Sequence, residues 1–171
     1  VVTDLVQIKR FGEKNREENK QLRAWMKRHN FAERRLKAIA EDVQDQIDCT
    51  ACANCCRVAT TPVTERDIDK LSRFLGCKTA EFLRNYTDES EEEGIILKRT
   101  GNGCVFLEGN LCSVYAARPQ TCEQFPHLTK GNGSLLARMW HMPDRAVYCP
   151  IVFNTLEAWK PETGFKMGPK K

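Results

Sequence analysis

Residues 49–56 read CTACANCC, four cysteines in eight positions with the last two adjacent. The whole chain carries nine cysteines in 171 residues, and the chemistry that occupies them decides what it can fold around. A secreted disulfide framework is disfavoured by the odd total, by the vicinal pair Cys55-Cys56 and by the tight C-x2-C steps. In a reducing compartment, thiols in this number are accounted for by metal.

Thiolate sulfur is soft and binds zinc and iron well, and a C-x2-C loop lets two sulfurs converge while backbone amides turn toward the negative charge. Cys49, Cys52 and Cys55 repeat that spacing twice. Three sulfurs so placed can face one cubane or one ion, as in bacterial ferredoxin loops, where a distant cysteine followed by proline completes the cluster. Cys149-Pro150 fits that description. A second group, Cys104, Cys112 and Cys122, has seven and nine residues between successive cysteines. A zinc ribbon would show a second C-x2-C knuckle, and its absence favours an iron–sulfur cluster over zinc. Neighbouring side chains of an extended backbone diverge, so Cys55 and Cys56 either serve different centres or one stands outside the ligand set. Eight cysteines, leaving out Cys77, would be enough for two four-sulfur sites.

The ordered string C-x2-C-x2-C-C (Cys49, Cys52, Cys55, Cys56), then Cys104-Val105-Phe106-Leu107, Cys112-Ser113-Val114-Tyr115, Arg118-Pro119, Cys122 and Phe125-Pro126 resembles the YkgJ-type cysteine cluster family. That family is described as chelating zinc or iron. The resemblance covers residues 49 to about 126, extends to Cys149, and leaves out Cys77 and residues 1–48. It implies metal chelation by Cys49, Cys52, Cys55, Cys56, Cys104, Cys112, Cys122 and Cys149. A similar cysteine segment occurs in flagellin lysine methylases, which adds the reading of an accessory module of a methyltransferase-like enzyme.

Four thiolates around a divalent ion or a 2+ cluster leave about two net negative charges. Arg118 is the candidate to offset them through hydrogen bonds to sulfur, and the equal alternative is a surface arginine fixed by Pro119. Phe106, Tyr115 and Phe125 are expected to form a dry wall around the site, where burial tunes potential and limits oxidation. His127 and His141 lie near cysteines but are secondary candidates where sulfur is abundant. No Ser/His/Asp order, phosphate loop or H-E-x-x-H pattern is present, so no catalytic residue is assigned.

The rest of the chain supplies a frame. Residues 13–47 carry apolar residues at helical spacing, Leu22, Trp25 and Met26, then Leu36, Ile39, Val43 and Ile47, and predict two helices broken near His29-Asn30. This stripe is expected to pack on the cysteine-bearing part, with Leu36, Ile39 and Val43 against the next helix. That helix, residues 65–75, is announced by Thr64 and Asp67 at capping-box spacing and closed by Gly76. Thr79 is expected to cap a further short helix with Phe82, Leu83 and Tyr86 inward. The acidic run 88–94 reads as a solvated loop. IILK (95–98), CVFL (104–107) and LCSVY (111–115) read as strands of a small antiparallel sheet, the last two joined by a tight turn at EGN.

A net charge of +4 arises from 27 basic and 23 acidic residues, with both signs spread along the chain, unlike the footprint of a nucleic-acid binder. No apolar run approaches the roughly 18 residues of a membrane span. The chain is expected to be cytoplasmic and to meet a protein partner, without nucleic acid or membrane. The expected fold class is a small, mainly helical α+β domain with a short β-hairpin, organised around a cysteine-ligated metal centre. Residues 1–48 would form a helical arm, 49–158 the metal-binding domain and 159–171 a flexible basic tail. The function expected is iron–sulfur chemistry of [4Fe–4S] type in redox, metal handling or support of a partner enzyme; the alternative is a structural zinc module for protein interaction.

Overall fold

The computed structural model describes residues 1–168. In chain order the helices begin with α1 (Leu5–Arg28), α2 (Glu33–Asp45) and two single turns, α3 (Cys49–Cys52) and α4 (Asn54–Val58). Next come α5 (Glu65–Leu75) and α6 (Thr79–Tyr86), then six short strands: β1 (Thr87–Ser90), β2 (Gly94–Leu97), β3 (Arg99–Thr100), β4 (Gly103–Cys104), β5 (Leu107–Glu108) and β6 (Leu111–Cys112). The chain closes with α7 (Gln120–Gln124), α8 (Leu135–Arg138), α9 (Met142–Arg145) and α10 (Pro150–Thr163). This is a mainly helical α+β protein. Among the described residues no helix is long and apolar enough to cross a membrane.

Two compact units result, one from residues 1–48 with 126–171, the other from Cys49–Phe125. Residue 158, the expected end of the metal-binding domain, is not a boundary of either.

In the first unit, α1 starts where the Asp4 carboxylate accepts from the Gln7 amide at 2.7 Å, capping an otherwise orphaned donor. It ends at the expected break, where the His29 ring stacks on Trp25 at 4.3 Å and the His29 amide donates to the Trp25 carbonyl at 3.1 Å. Leu36, Ile39, Ala40 and Val43 are buried on one face of α2, as the helical spacing predicts. The expected partner of that stripe is the cysteine-bearing part; the partner found is α10. Ile151, Val152, Phe153, Leu156 and Trp159 are all buried on α10, which makes it the central helix of this unit.

The tail expected from residue 159 therefore begins later. Trp159 meets the edge of Phe31 at 6.4 Å, and the Lys160 ammonium is satisfied by the Glu18 and Glu157 carboxylates at 2.6 and 2.5 Å. A buried lysine with two carboxylates is held in place rather than left to solvent. Residues 169–171 of the expected tail lie outside the described residues.

The second unit has its own apolar core, Val63, Ile68, Leu71, Phe82, Leu97, Phe106, Val114 and Ala117. The capping box forms as expected: the Thr64 amide donates to Asp67 Oδ2 at 3.0 Å and the Asp67 amide to Thr64 Oγ1 at 3.2 Å. Gly76 closes α5 with φ 67°. The cap position of α6 is Lys78, without a side-chain cap, and Thr79 is the first helical residue. The acidic run is not wholly a loop. Asp88, Glu89 and Ser90 pair with Ile96, Ile95 and Gly94 in a β1–β2 hairpin, because the ladder takes up their backbone while the acidic side chains of Asp88 and Glu89 stay exposed. The strands form three separate two-stranded ladders instead of one sheet. CVFL is divided between β4 and β5, while the turn at Gly109-Asn110 joins β5 to β6 as expected.

In α1, Gly12 lies against α9. A Cβ there would sit 2.5 Å from the Ala146 carbonyl oxygen and 2.6 Å from Val147 Cα, both backbone atoms. Gly12→Ala is expected to destabilise the protein by about 1–3 kcal/mol through overpacking, outweighing alanine's better helix propensity. Urea unfolding followed by circular dichroism checks this; a variant as stable as the parent would show that the two elements part without cost.

Candidate metal centre

The first cysteine group lies on two single helical turns joined at Ala53, which takes φ 46°. The Cys49 carbonyl accepts from the Ala53 amide at 2.8 Å and the Cys55 carbonyl from the Ala59 amide at 2.9 Å. The backbone at Cys55-Cys56 is thus helical, not extended. Their sulfurs lie 4.0 Å apart, so the divergence expected of an extended pair does not apply. Neither turn buries a residue of its own; Ala53 between them is buried.

Gly103 brings the second group to the first. Its φ is 120°, and a Cβ would stand 2.5 Å from the Cys56 carbonyl oxygen and 2.7 Å from Arg57 Cα. Only glycine accepts both the dihedral and the approach, and through it β4, carrying Cys104, lies on α4, carrying Cys56. Cys112 sits opposite Leu107 in the β5–β6 ladder. Cys122 is on α7, whose first amide, from Gln120, donates to Asp67 Oδ1 at 2.8 Å. One carboxylate therefore caps α5 and anchors the turn that presents Cys122.

These thiols feel one another. Burial pushes Cys122 up to about 12, with the sulfurs of Cys104, Cys56 and Cys112 adding to the rise and a Thr61 hydrogen bond opposing it. Cys104 is raised by burial and then by Cys56 and Cys112, against the Phe106 backbone and Arg99. Cys112 is likewise raised by burial, Cys56 and Glu108, against the Val114 backbone and Arg118. Cys56 goes the other way, down to about 6, because the Cys55 thiol hydrogen-bonds to it and Arg57 adds positive charge against the cost of burial. Three thiols held neutral beside one thiolate form a set whose full ionisation needs a cation. Among the described residues, no three His, Cys, Asp or Glu side chains are gathered around one point ready to take an ion; the four sulfurs are within electrostatic reach without being drawn onto a centre. Donor type and mutual repulsion fit a thiolate-bound metal.

Arg118 stacks over the Tyr115 ring at 3.9 Å and lowers Cys112 electrostatically. Its Nε is buried without a hydrogen-bond partner, while its carbonyl accepts from Lys70 at 2.7 Å. Of the expected dry wall, Phe106 is buried, 5.2 Å from the Tyr86 ring, and Phe125 is half-buried. Tyr115 is 58% exposed, which corrects its assignment: its ring supports the guanidinium and faces water. Cys77 packs on the apolar core of the second unit.

Cys149, His127 and His141 belong to the first unit. Cys149 is buried at the cap of α10, directly before Pro150. His127 takes φ 67°, and burial, then Arg145, Arg138 and His141, lower its pKa to about 4.

Several residues around the cysteines carry no sequence signal of their own. Arg57 donates to the Cys52 carbonyl at 3.0 Å, to the Gly109 carbonyl at 3.0 Å and to Asn110 Oδ1. Asn110 returns a bond to the Ala51 carbonyl at 2.8 Å, and Arg99 donates to the Ala59 and Arg57 carbonyls. A glycine immediately before a cysteine, as in Gly103-Cys104, is the one cue that could have been used.

The second unit is thus a thiol-rich domain of the metal-binding class. The CxxCxxCC family, described as a putative zinc- or iron-chelating domain, matches residues 48–150, and the chain belongs to that family. An uncharacterized protein of Methanocaldococcus jannaschii, MJ0661, is 31% identical over 90 residues, 51% of this chain and 48% of its own length. The chain thus spans about half the length of that relative. No solved structure matches the chain.

If Gly103 joins the two cysteine groups, Gly103→Ala should weaken metal retention by about 10–100-fold, the range for residues that orient ligands, although every cysteine remains. Gly101→Ala is the control, since nothing lies within 4 Å of a Cβ at that position. Metal competition against a chromophoric chelator measures both. Equal retention in the two variants would show that the approach at Cys56 does not position the sulfurs.

Proposed function

We propose that this protein holds an iron–sulfur cluster of [4Fe–4S] type on its cysteine domain and uses it in redox chemistry, metal handling or support of a protein partner in the cytoplasm. The observation that carries metal binding is the destabilisation of the Cys104, Cys112 and Cys122 anions by burial and by the neighbouring thiolates, Cys56 among them, which a bound cation would relieve. These four would be the principal ligands. Cys49, Cys52 and Cys55 would complete the site or form a second one, with Cys149 as the eighth candidate. The preference for iron rests on the C-x2-C-x2-C spacing, and Arg118 would offset the negative charge left on the sulfurs. A bound cluster would supply electron transfer or a cross-link between elements too short to hold themselves. Structural zinc is the second reading, favoured by a four-thiol set of the size one tetrahedral ion requires.

Anaerobically purified protein is expected to be brown and to contain iron and sulfide, with visible absorption that bleaches on reduction. Colourless protein with stoichiometric zinc and no sulfide, from iron-supplied cells, would put zinc first; protein holding neither metal would remove the whole reading. Cys122→Ser should lose metal, whereas Cys77→Ser should retain it.

Proton release gives a separate check. Near pH 7.5 Cys56 is already ionised in the metal-free protein, while Cys104, Cys112 and Cys122 are held neutral by raised pKa values. Zn2+ added at that pH should therefore release about three protons per ion bound. The same shifts set a pH dependence of stability. Thiols whose pKa is raised on folding favour the fold below the unfolded value and lose that preference as pH climbs through the folded one. Metal-free protein should accordingly lose stability from about pH 9 toward 12. Lightly buffered titration reads the first, and denaturant unfolding across the pH series reads the second; no proton release on binding would mean that these thiols are not the ligands.

A further inference from the structure

Neither α3 nor α4 buries a residue of its own, and single helical turns do not persist alone in water. Apart from Ala53 and the backbone approach of Gly103 to Cys56 and Arg57, the segment carrying Cys49, Cys52, Cys55 and Cys56 is therefore positioned by polar contacts. Three of these run outside the sulfurs to one place, the exposed turn Gly109-Asn110 of the hairpin that presents Cys112. Arg57 spans from the Cys52 carbonyl, at 3.0 Å, to the Gly109 carbonyl, at 3.0 Å, and to Asn110 Oδ1. Asn110 Nδ2 donates to the Ala51 carbonyl at 2.8 Å. Gly109 holds φ 61°, which keeps its carbonyl and the Asn110 side chain turned to the cysteine segment at once.

We propose that Arg57 and Asn110 form a polar latch that closes the cysteine segment against the Cys112 hairpin and governs how fast metal enters and leaves; this rests on the metal-binding reading above. Both residues are positioning residues. Hydrogen bonds in water are individually weak, so the latch opens without exposing the core built on Leu71, Phe82 and Phe106. A gate differs from a brace in what its loss does. Removing a gate raises entry and exit together and leaves affinity nearly unchanged; removing a brace raises exit and lowers entry.

The experiment uses the full chain, metal-free and loaded with Co2+, whose thiolate absorption reports occupancy. Arg57→Ala and Asn110→Ala should each raise the rate of Co2+ release to excess EDTA by about tenfold, the kinetic equivalent of one such charged hydrogen bond. Uptake should rise by a similar factor. Arg57→Lys keeps the charge that helps to lower Cys56 but cannot bridge both carbonyls; it should match Arg57→Ala in release rate and is the variant on which unchanged affinity is read. Unchanged rates, or faster release with slower uptake, would overturn the latch. Asn110→Ala removes an exposed side chain together with its bonds to Arg57 and Ala51, and stands in if Arg57→Ala fails to fold. Hydrogen exchange on metal-free protein adds a readout that needs no metal: amides of residues 49–58 should exchange about tenfold faster in Asn110→Ala than in the parent. Equal exchange would likewise overturn the latch. Failure of the parent to bind any metal would instead defeat the metal-binding reading, and the exchange experiment would still decide whether the latch exists.

Discussion

The cysteine site depends on one backbone contact. Gly103 lies so close to the Cys56 carbonyl that no side chain fits between them, and its φ of 120° is one that other residues resist. Everything else in the second unit is arranged so that this contact can be made. The capping box begins α5, its Asp67 carboxylate reaches on to the first amide of α7, and the hairpin turn at Gly109 joins the strand pair that carries Cys112. Short helices deliver Cys56 and Cys122, two-residue strands deliver Cys104 and Cys112, and none is long enough to fix its thiol alone.

That economy explains the electrostatics. Sulfurs brought together in a half-buried site cannot all ionise: desolvation and neighbouring anions hold Cys104, Cys112 and Cys122 neutral, while Cys56 keeps its charge beside Arg57 and the Cys55 thiol. In an apolar core such a cluster would be replaced by leucine or valine at no loss. Here the unit has an eight-residue apolar core, and Cys104 and Cys112 also pack against it. As the ligand set proposed above, the thiols would contribute to folding through the bound cation as well.

Local signals were legible. The break at His29, the α2 stripe, the capping box at Thr64, the closure at Gly76 and the turn after Glu108 all follow from short-range chemistry and are found where that chemistry puts them. The differences arise where the partner a residue finds in the fold decides. Asp88 and Glu89 become strand because β2 supplies a ladder. Trp159 and Lys160 become helix because Phe31, Glu18 and Glu157 satisfy them. Tyr115 reads as an apolar wall by type, yet it is a platform for Arg118. Of the candidate site, Cys56, Cys104, Cys112 and Cys122 come within electrostatic reach of one another, while Cys149 belongs to the first unit. Gly103, Arg57, Asn110 and the second role of Asp67 were not legible in the sequence, since each acts through a backbone atom whose position only the fold determines.

The same distinction bears on how such a site can work. A ligand segment anchored by leucines could release metal only by opening its core, and its exchange would be as slow as unfolding. The segment at 49–58 is instead tied down by the Gly103 approach and by arginine and asparagine bonds to carbonyls, with Ala53 as its one buried side chain. Polar ties have little net stability in water and large geometric specificity. In the proposed latch they would hold the sulfurs in register while the loop is closed and cost little to break, which would separate the stability of the domain from the lability of its site. A protein that only needed a metal cross-link would gain nothing from that separation; one that loads, repairs or passes on its metal would.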